Sequence, residues 1–200
     1  IDTFDCALIS DGAFVSSFSG KGSHTRLRFP DEEILWPAIE QHQLVDVVTW
    51  AAKTNVVHRH YAETRVERAL AAYSHLIGLS RQREGELLFR AMQGLEAFYI
   101  DGIGDLRRQL SEKVQIWLGR WDGSKNVVGH LYDMRSGFVH GSSKLVYWNR
   151  DGGAWDEDEA GMAKFEGNVN LAIRLLVATL QKCIRQNVTE VQWSYGVETK

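Results

Sequence analysis

The sequence is short of several things, and each shortage narrows what the chain can be. Only Cys6 and Cys183 are present in 200 residues, far apart and outside any CxxC pair. That is no disulfide framework, so a reducing cytoplasm is the expected setting. No apolar run reaches the roughly 18 residues that cross a bilayer. No basic segment followed by an apolar one opens the chain, so no secretory signal is visible. The formal net charge is −3, whereas strong non-specific nucleic-acid binders carry an excess of Lys and Arg. Any RNA contact is therefore expected from a local basic patch. The GxxxxGK[ST], GxSxG and HExxH patterns are all missing, which removes the signatures of phosphate-loop, nucleophile-elbow and zincin chemistry.

What is present changes character along the chain. Residues 1–30 carry short strand-like runs, Cys6-Ala7-Leu8-Ile9, Ala13-Phe14-Val15 and Thr25 to Phe29, separated by Asp11-Gly12 and Ser19 to Ser23. They suggest a small β-like extension or the tail of a preceding domain. The first residue is Ile rather than Met, and initiator Met is normally removed only before small residues, so a missing N-terminal segment is expected. Asp31 can cap a helix into Ile34-Leu35, and Pro37 marks a helix break or start. Residues 43–53 predict a short helix with Leu44, Val47, Val48, Trp50 and Ala51 packing inward.

From about Tyr61 the spacing of apolar residues turns helical. Val66, Ala69, Leu70, Tyr73, Leu76 and Ile77 form one stripe. Leu87, Leu88, Met92, Leu95, Phe98 and Tyr99 form the next. Asp105 opens a third with Leu106, Leu110, Val114, Trp117 and Leu118. A helix with Val127, Val128 and Leu131 follows. Residues 144–155 suggest a loop or hairpin, and a last helix is predicted from about Asp156 to Asn187. Long stripes joined by short turns predict an all-α, up-and-down helical bundle. The expected divisions are 1–43 as the extension, 44–190 as the helical domain and 191–200 as a tail.

The chemistry-bearing stretch is Leu131-Tyr132-Asp133-Met134-Arg135-Ser136-Gly137-Phe138-Val139-His140-Gly141. Arg135 and His140 are five residues apart, so on a regular helix they sit about 140° apart around the axis. They converge only if the helix is irregular near Gly137 or a second copy supplies the missing half. Arginine offers a planar charged fork to phosphate oxygens, and histidine titrates near neutral pH. RNA carries its own nucleophile, the 2′-hydroxyl. Such a pair can therefore cleave RNA without a metal or other cofactor, Arg135 binding the phosphate and His140 transferring protons.

The same stretch resembles the signature of Apea-like HEPN domains, an R-x(4–6)-H motif within a "YDxRSxxxHG"-like string. Tyr132, Asp133, Arg135, Ser136, His140 and Gly141 fit it, and Leu88 to Tyr99 resembles the family's "ALEAL" helix, with Glu96 as its acidic residue. The likeness spans about Val66 to Arg185. It implies a HEPN-type bundle, a homodimer with the two motifs facing across a two-fold axis, and an endoribonuclease acting as a toxin or anti-phage effector, with an antitoxin as a possible partner. It also implies a supporting role for Glu96, orienting Arg135 or His140. Ser136 departs from the Asn, Asp or His found there in the wider superfamily.

Simpler readings stand beside these. Arg135 can be an ion-pair partner of Asp133 or of an acid on another helix. His140 before Gly141 can be a helix-terminal residue favoured by the dipole. A non-enzymatic HEPN module for dimerisation or for nucleotide or partner binding is the rival function. His58 and His60 are a weak metal candidate, because no carboxylate or thiolate cluster accompanies them. His75 and His130 are expected at the surface or in packing, whereas Arg81, Arg83, Arg90, Arg107 and Arg108 can form a phosphate-tracking patch but are expected simply as solvated surface charges.

Overall fold

The structure is a computed structural model that describes residues 36–54, 56, 60–77, 84–123, 126–142 and 159–194. Among the described residues there are six helices: α1 (Leu44–Lys53), α2 (Arg65–Ile77), α3 (Glu84–Tyr99), α4 (Leu106–Leu118), α5 (Val127–Val139) and α6 (Glu159–Gln186). The fold is an all-α bundle, and no strand forms among the described residues. The expected β-like runs in 1–30 and the 144–155 hairpin lie outside them. No helix of the described residues is long and apolar enough to cross a membrane.

The predicted stripes face a single core around α3, which touches α2, α4, α5 and α6. Leu88, Met92, Leu95, Phe98 and Tyr99 are completely or almost completely buried there, against Val66, Ala69 and Tyr73 of α2 and Leu175, Leu176 and Leu180 of α6. The first of these helix pairs, α2 and α3, runs antiparallel. Arg65 at the start of α2 donates to the carbonyls of Ala97, Phe98 and Ile100 at the end of α3. That guanidinium satisfies acceptors which the last turn of α3 leaves without an intrahelical partner. It also pairs with Asp101, whose other oxygen accepts from the buried Lys113 at 2.8 Å. Arg107 and Ser111 of α4 meet Asp133 and Asn126 respectively, so α4 and α5 are likewise antiparallel. At Gly94 α3 lies close against both α6 and α2. A Cβ there would stand 2.9 Å from the Leu176 methyls and 3.1 Å from Ala72 Cβ.

Both flanks of the bundle are packed. Trp36 donates its indole N–H to the Gly119 carbonyl at 3.1 Å and packs at a tilt against Trp121. Gln181 bonds both backbone groups of Glu40, at 2.9 and 2.6 Å. Past α6 the chain turns at Asn187, whose φ of 53° supplies the left-handed step a helix end commonly uses. It then runs across the helix ends. Val188 O accepts from Trp50 at 2.8 Å and Thr189 O from Thr64 at 3.3 Å. Trp193 donates to Phe98 O at 2.8 Å and completes an aromatic cluster with Phe98, Tyr99 and Trp117.

One expectation fails at α1. Val47 and Trp50 are buried and Ala51 is half-buried, but Leu44 and Val48, predicted to pack inward, are 43% and 50% exposed. The helix is apolar over a wider arc than the core covers.

Candidate functional site

The helix carrying the motif is fixed at both ends by its own sequence. Asn126 caps the start, its Oδ1 accepting from Gly129 N at 2.8 Å and from Ser111 Oγ at 2.8 Å. At the far end Ser142 N bonds Gly137 O at 2.9 Å and Gly141 N bonds Phe138 O at 3.3 Å. This paired closure needs a left-handed residue, and Gly141 provides it at φ +71°. His140 is the cap residue and its side chain is exposed. The placement predicted from the His-Gly pair is the one observed.

Between those ends α5 is continuous helix through Gly137, so no local irregularity draws Arg135 and His140 together. Val128, Leu131, Arg135 and Phe138 recur at three- and four-residue steps and face α3. Arg135 therefore occupies a core-facing position and is half-buried. Its Nη2 donates to Glu96 Oε2 at 3.0 Å, and its guanidinium lies over the Phe89 ring, 5.9 Å from the centroid. Of the two simpler readings of Arg135, the acid on another helix is the partner. Asp133 points the other way and accepts from Arg107 Nε through both oxygens, at 3.0 and 3.1 Å. Tyr132 is half-buried against the core, and Ser136 is half-buried, its carbonyl accepting from His140 N at 3.0 Å. No hydrogen bond or ion pair among the described residues joins Arg135 to His140.

The Glu96–Arg135 pair is electrostatically incomplete. Both side chains are about four-fifths buried, yet Glu96 Oε1 and Arg135 Nε are sealed from solvent without a protein partner among the described residues. Burial raises the Glu96 pKa above its ordinary 4.5, and the Arg135 charge opposes that rise without cancelling it. The pair makes one charge-assisted bond where the two-pronged guanidinium could make two.

Comparison with known proteins adds no identity. The chain matches no family model, no curated protein and no solved structure. The likeness to HEPN domains therefore rests on the residues quoted for it.

Two residues of this neighbourhood escaped the sequence reading. Phe89 lies off the buried stripe of α3 and lines Arg135. Gly85 lets the Phe138 ring press onto α3, where a Cβ would stand 2.3 Å from it. Phe89 next to Arg90 was a discoverable signal, since the Arg90 guanidinium also lies over that ring at 5.7 Å. Elsewhere, a cavity of about 260 Å³ opens at the start of α5, lined by Ser111, Gln115, Arg120, Trp121 and Asn126. Neither Arg135 nor His140 reaches it. His60, His75 and His130 are exposed, His58 lies outside the described residues, and no His/Cys/Asp/Glu cluster suited to a metal occurs among the described residues.

Proposed function

We propose that the chain is a metal-independent endoribonuclease of HEPN type that works as a homodimer. The observation that carries this reading is the division of labour on α5: a guanidinium held by Glu96 and Phe89, and an exposed imidazole at the helix tip with no hydrogen-bond partner among the described residues. Arg135 neutralises the scissile phosphate. His140 takes the proton of the 2′-hydroxyl, whose oxygen attacks phosphorus while the 5′-oxygen leaves and is protonated. The products are a 2′,3′-cyclic phosphate and a 5′-hydroxyl end. Base and acid are both needed. Because α5 holds Arg135 and His140 on different sides of one regular helix, a second copy supplies the complementary histidine, and a two-fold axis naturally brings a helix against itself. The expected setting, a cytoplasmic toxin or anti-phage effector acting on tRNA or other cellular RNA and restrained by an antitoxin, comes from the resemblance.

A second reading has its own support. The motif side chains already serve the fold, Asp133 by pairing with Arg107, Arg135 by pairing with Glu96, and His140 by ending the helix. A non-catalytic HEPN module for dimerisation or for binding a nucleotide or partner would need nothing more. RNA cleavage in EDTA separates the two. The nuclease reading expects activity in wild type, its loss in His140→Ala, and no cleavage where the 2′-hydroxyl at the cut site is replaced by hydrogen. Equal behaviour of wild type and His140→Ala supports the module instead.

A further inference from the structure

The arginines around the motif are not equally occupied. Arg107 pairs with Asp133, and Arg108 with Asp105 and Glu112, so the charge of each is already met. Arg81 and Arg83 lie outside the described residues. Arg90 is different. Its Nη1 donates to Gln93 Oε1 at 2.9 Å and its guanidinium lies 5.7 Å from the centre of the Phe89 ring. No acid among the described residues pairs with it. An amide and a phenyl ring thus position this partly exposed cation without neutralising it.

Phe89 sets that charge beside the motif. The same ring lies 5.9 Å from the Arg135 guanidinium, so one side chain lines both cations. Here α3 and α5 run antiparallel, because Phe138 meets Gly85 towards one end while Arg135 reaches Glu96 towards the other. Counted from the Phe138–Gly85 contact, the backbone of Arg135 lies about 4.5 Å along the bundle and that of Arg90 about 7.5 Å. The two arginines therefore stand at nearly the same level. Arg135 alone offers a phosphate little net attraction, since Glu96 opposes its charge and the whole chain carries −3. A phosphodiester strand needs an excess of positive charge at this point, and Arg90 has it.

We propose that Arg90 is a second phosphate-binding residue for single-stranded RNA, gripping a backbone phosphate next to the one that Arg135 holds, with Phe89 spacing the two planar forks. The proposal rests on the nuclease reading for the chemical class of the ligand.

The probe is a labelled single-stranded 2′-O-methyl RNA of about twelve nucleotides, which offers no 2′-hydroxyl and so binds without being cut. Fluorescence anisotropy with the full chain follows its Kd across a series of salt concentrations. Arg90→Gln weakens binding about eightfold at about 50 mM salt and about fourfold at about 150 mM, the counterion-release share of one contact, and flattens the slope of log Kd against log[salt] by about 0.7. The weakening is equal for probes of different base sequence. Arg90→Lys keeps the slope because it keeps the charge. Arg120→Gln removes the same charge from an exposed position before the start of α5, and it changes neither value. With unmodified RNA, Arg90→Gln raises KM and leaves kcat near wild type.

An unchanged salt slope in Arg90→Gln overturns the proposal. So does an equal loss in Arg120→Gln, which would assign the effect to net charge, and so does a wild type that fails to bind the probe. Failure of the nuclease reading has a separate signature: wild type binds the probe, Arg90→Gln binds it less well, and unmodified RNA stays intact. Arg90 is partly exposed, and unchanged circular dichroism verifies that its variants fold.

Discussion

The half-satisfied pair between α3 and α5 makes a sharp prediction because its two members fail differently. Arg135→Ala leaves the Glu96 carboxylate largely buried with no charge opposite it. Breaking a fully buried pair costs about 3–5 kcal/mol. Here the side chains retain 23% and 21% exposure and share one bond at 3.0 Å, so a loss of roughly 2–3 kcal/mol is expected at neutral pH. The loss depends on pH with a definite sign. Burial already holds the Glu96 pKa above 4.5, and Arg135 is what opposes it. Without the guanidinium, burial acts alone and the folded-state pKa climbs further. An acid whose pKa is raised on folding contributes its stability below the unfolded value and loses it as pH rises through the folded value. Arg135→Ala should therefore come closest to wild type below about pH 4.5 and fall further behind as pH rises through the Glu96 titration. Urea unfolding of both proteins across this range measures the difference. The double variant Glu96→Gln/Arg135→Ala removes both charges and should recover part of the loss at neutral pH. A pH-independent cost, or a double variant less stable than Arg135→Ala, would refute the argument.

Other outcomes follow from single contacts. Tyr99 is fully buried, with its hydroxyl 2.7 Å from Thr179 Oγ1, while Thr179 spends its own proton on Leu175 O, so Tyr99 must be the donor. Tyr99→Phe should cost about 1 kcal/mol. Thr179→Val strands a buried hydroxyl and should cost about 1–3 kcal/mol, part of which Tyr99→Phe restores in the double variant, as thermal melts would reveal. Gly94→Ala gains about 1 kcal/mol of helix propensity but pushes a methyl into the enclosed Leu176 and Ala72. Overpacking of about 1–3 kcal/mol should dominate, and a raised melting temperature would contradict this. Burial lifts the Cys183 thiol to about 12 despite Lys182 beside it, so in a Cys6→Ser background no thiol should react with a disulfide reagent at pH 8 until denaturant is added. Reaction at the rate of a free thiol in native buffer would count against that burial.

The core of the bundle was legible because its apolar residues keep helical spacing through α2, α3 and α6, and the start of α4 and the end of α5 because Asp105 and Gly141 carry recognisable cap chemistry. The site was legible only in part. His140 at a helix tip follows from the glycine after it, but the partner of Arg135 lies 39 residues away on another helix, and no local pattern selects it over Asp133. Periodicity also cannot decide which of two apolar faces meets the core, which is why it places Leu44 and Val48 inward. Trp193 falls in an expected tail for a similar reason. Its cluster with Phe98, Tyr99 and Trp117 joins parts of the chain far apart in sequence, and nothing in its immediate neighbours announces that contact.

The stretch of chain from Val188 to Trp193 has a consequence for how the protein is made. The indole of Trp50 in α1 finds its acceptor on Val188, 138 residues later, and Lys53 meets Asn187, 134 residues later, so α1 rests on residues that leave the ribosome long after it does. A nascent chain emerging at a few residues per second holds α1 ready well before its seat has been synthesised. During that interval its two greasy sides are both open, and the early part of the molecule is then at its most vulnerable to proteases and chaperone capture.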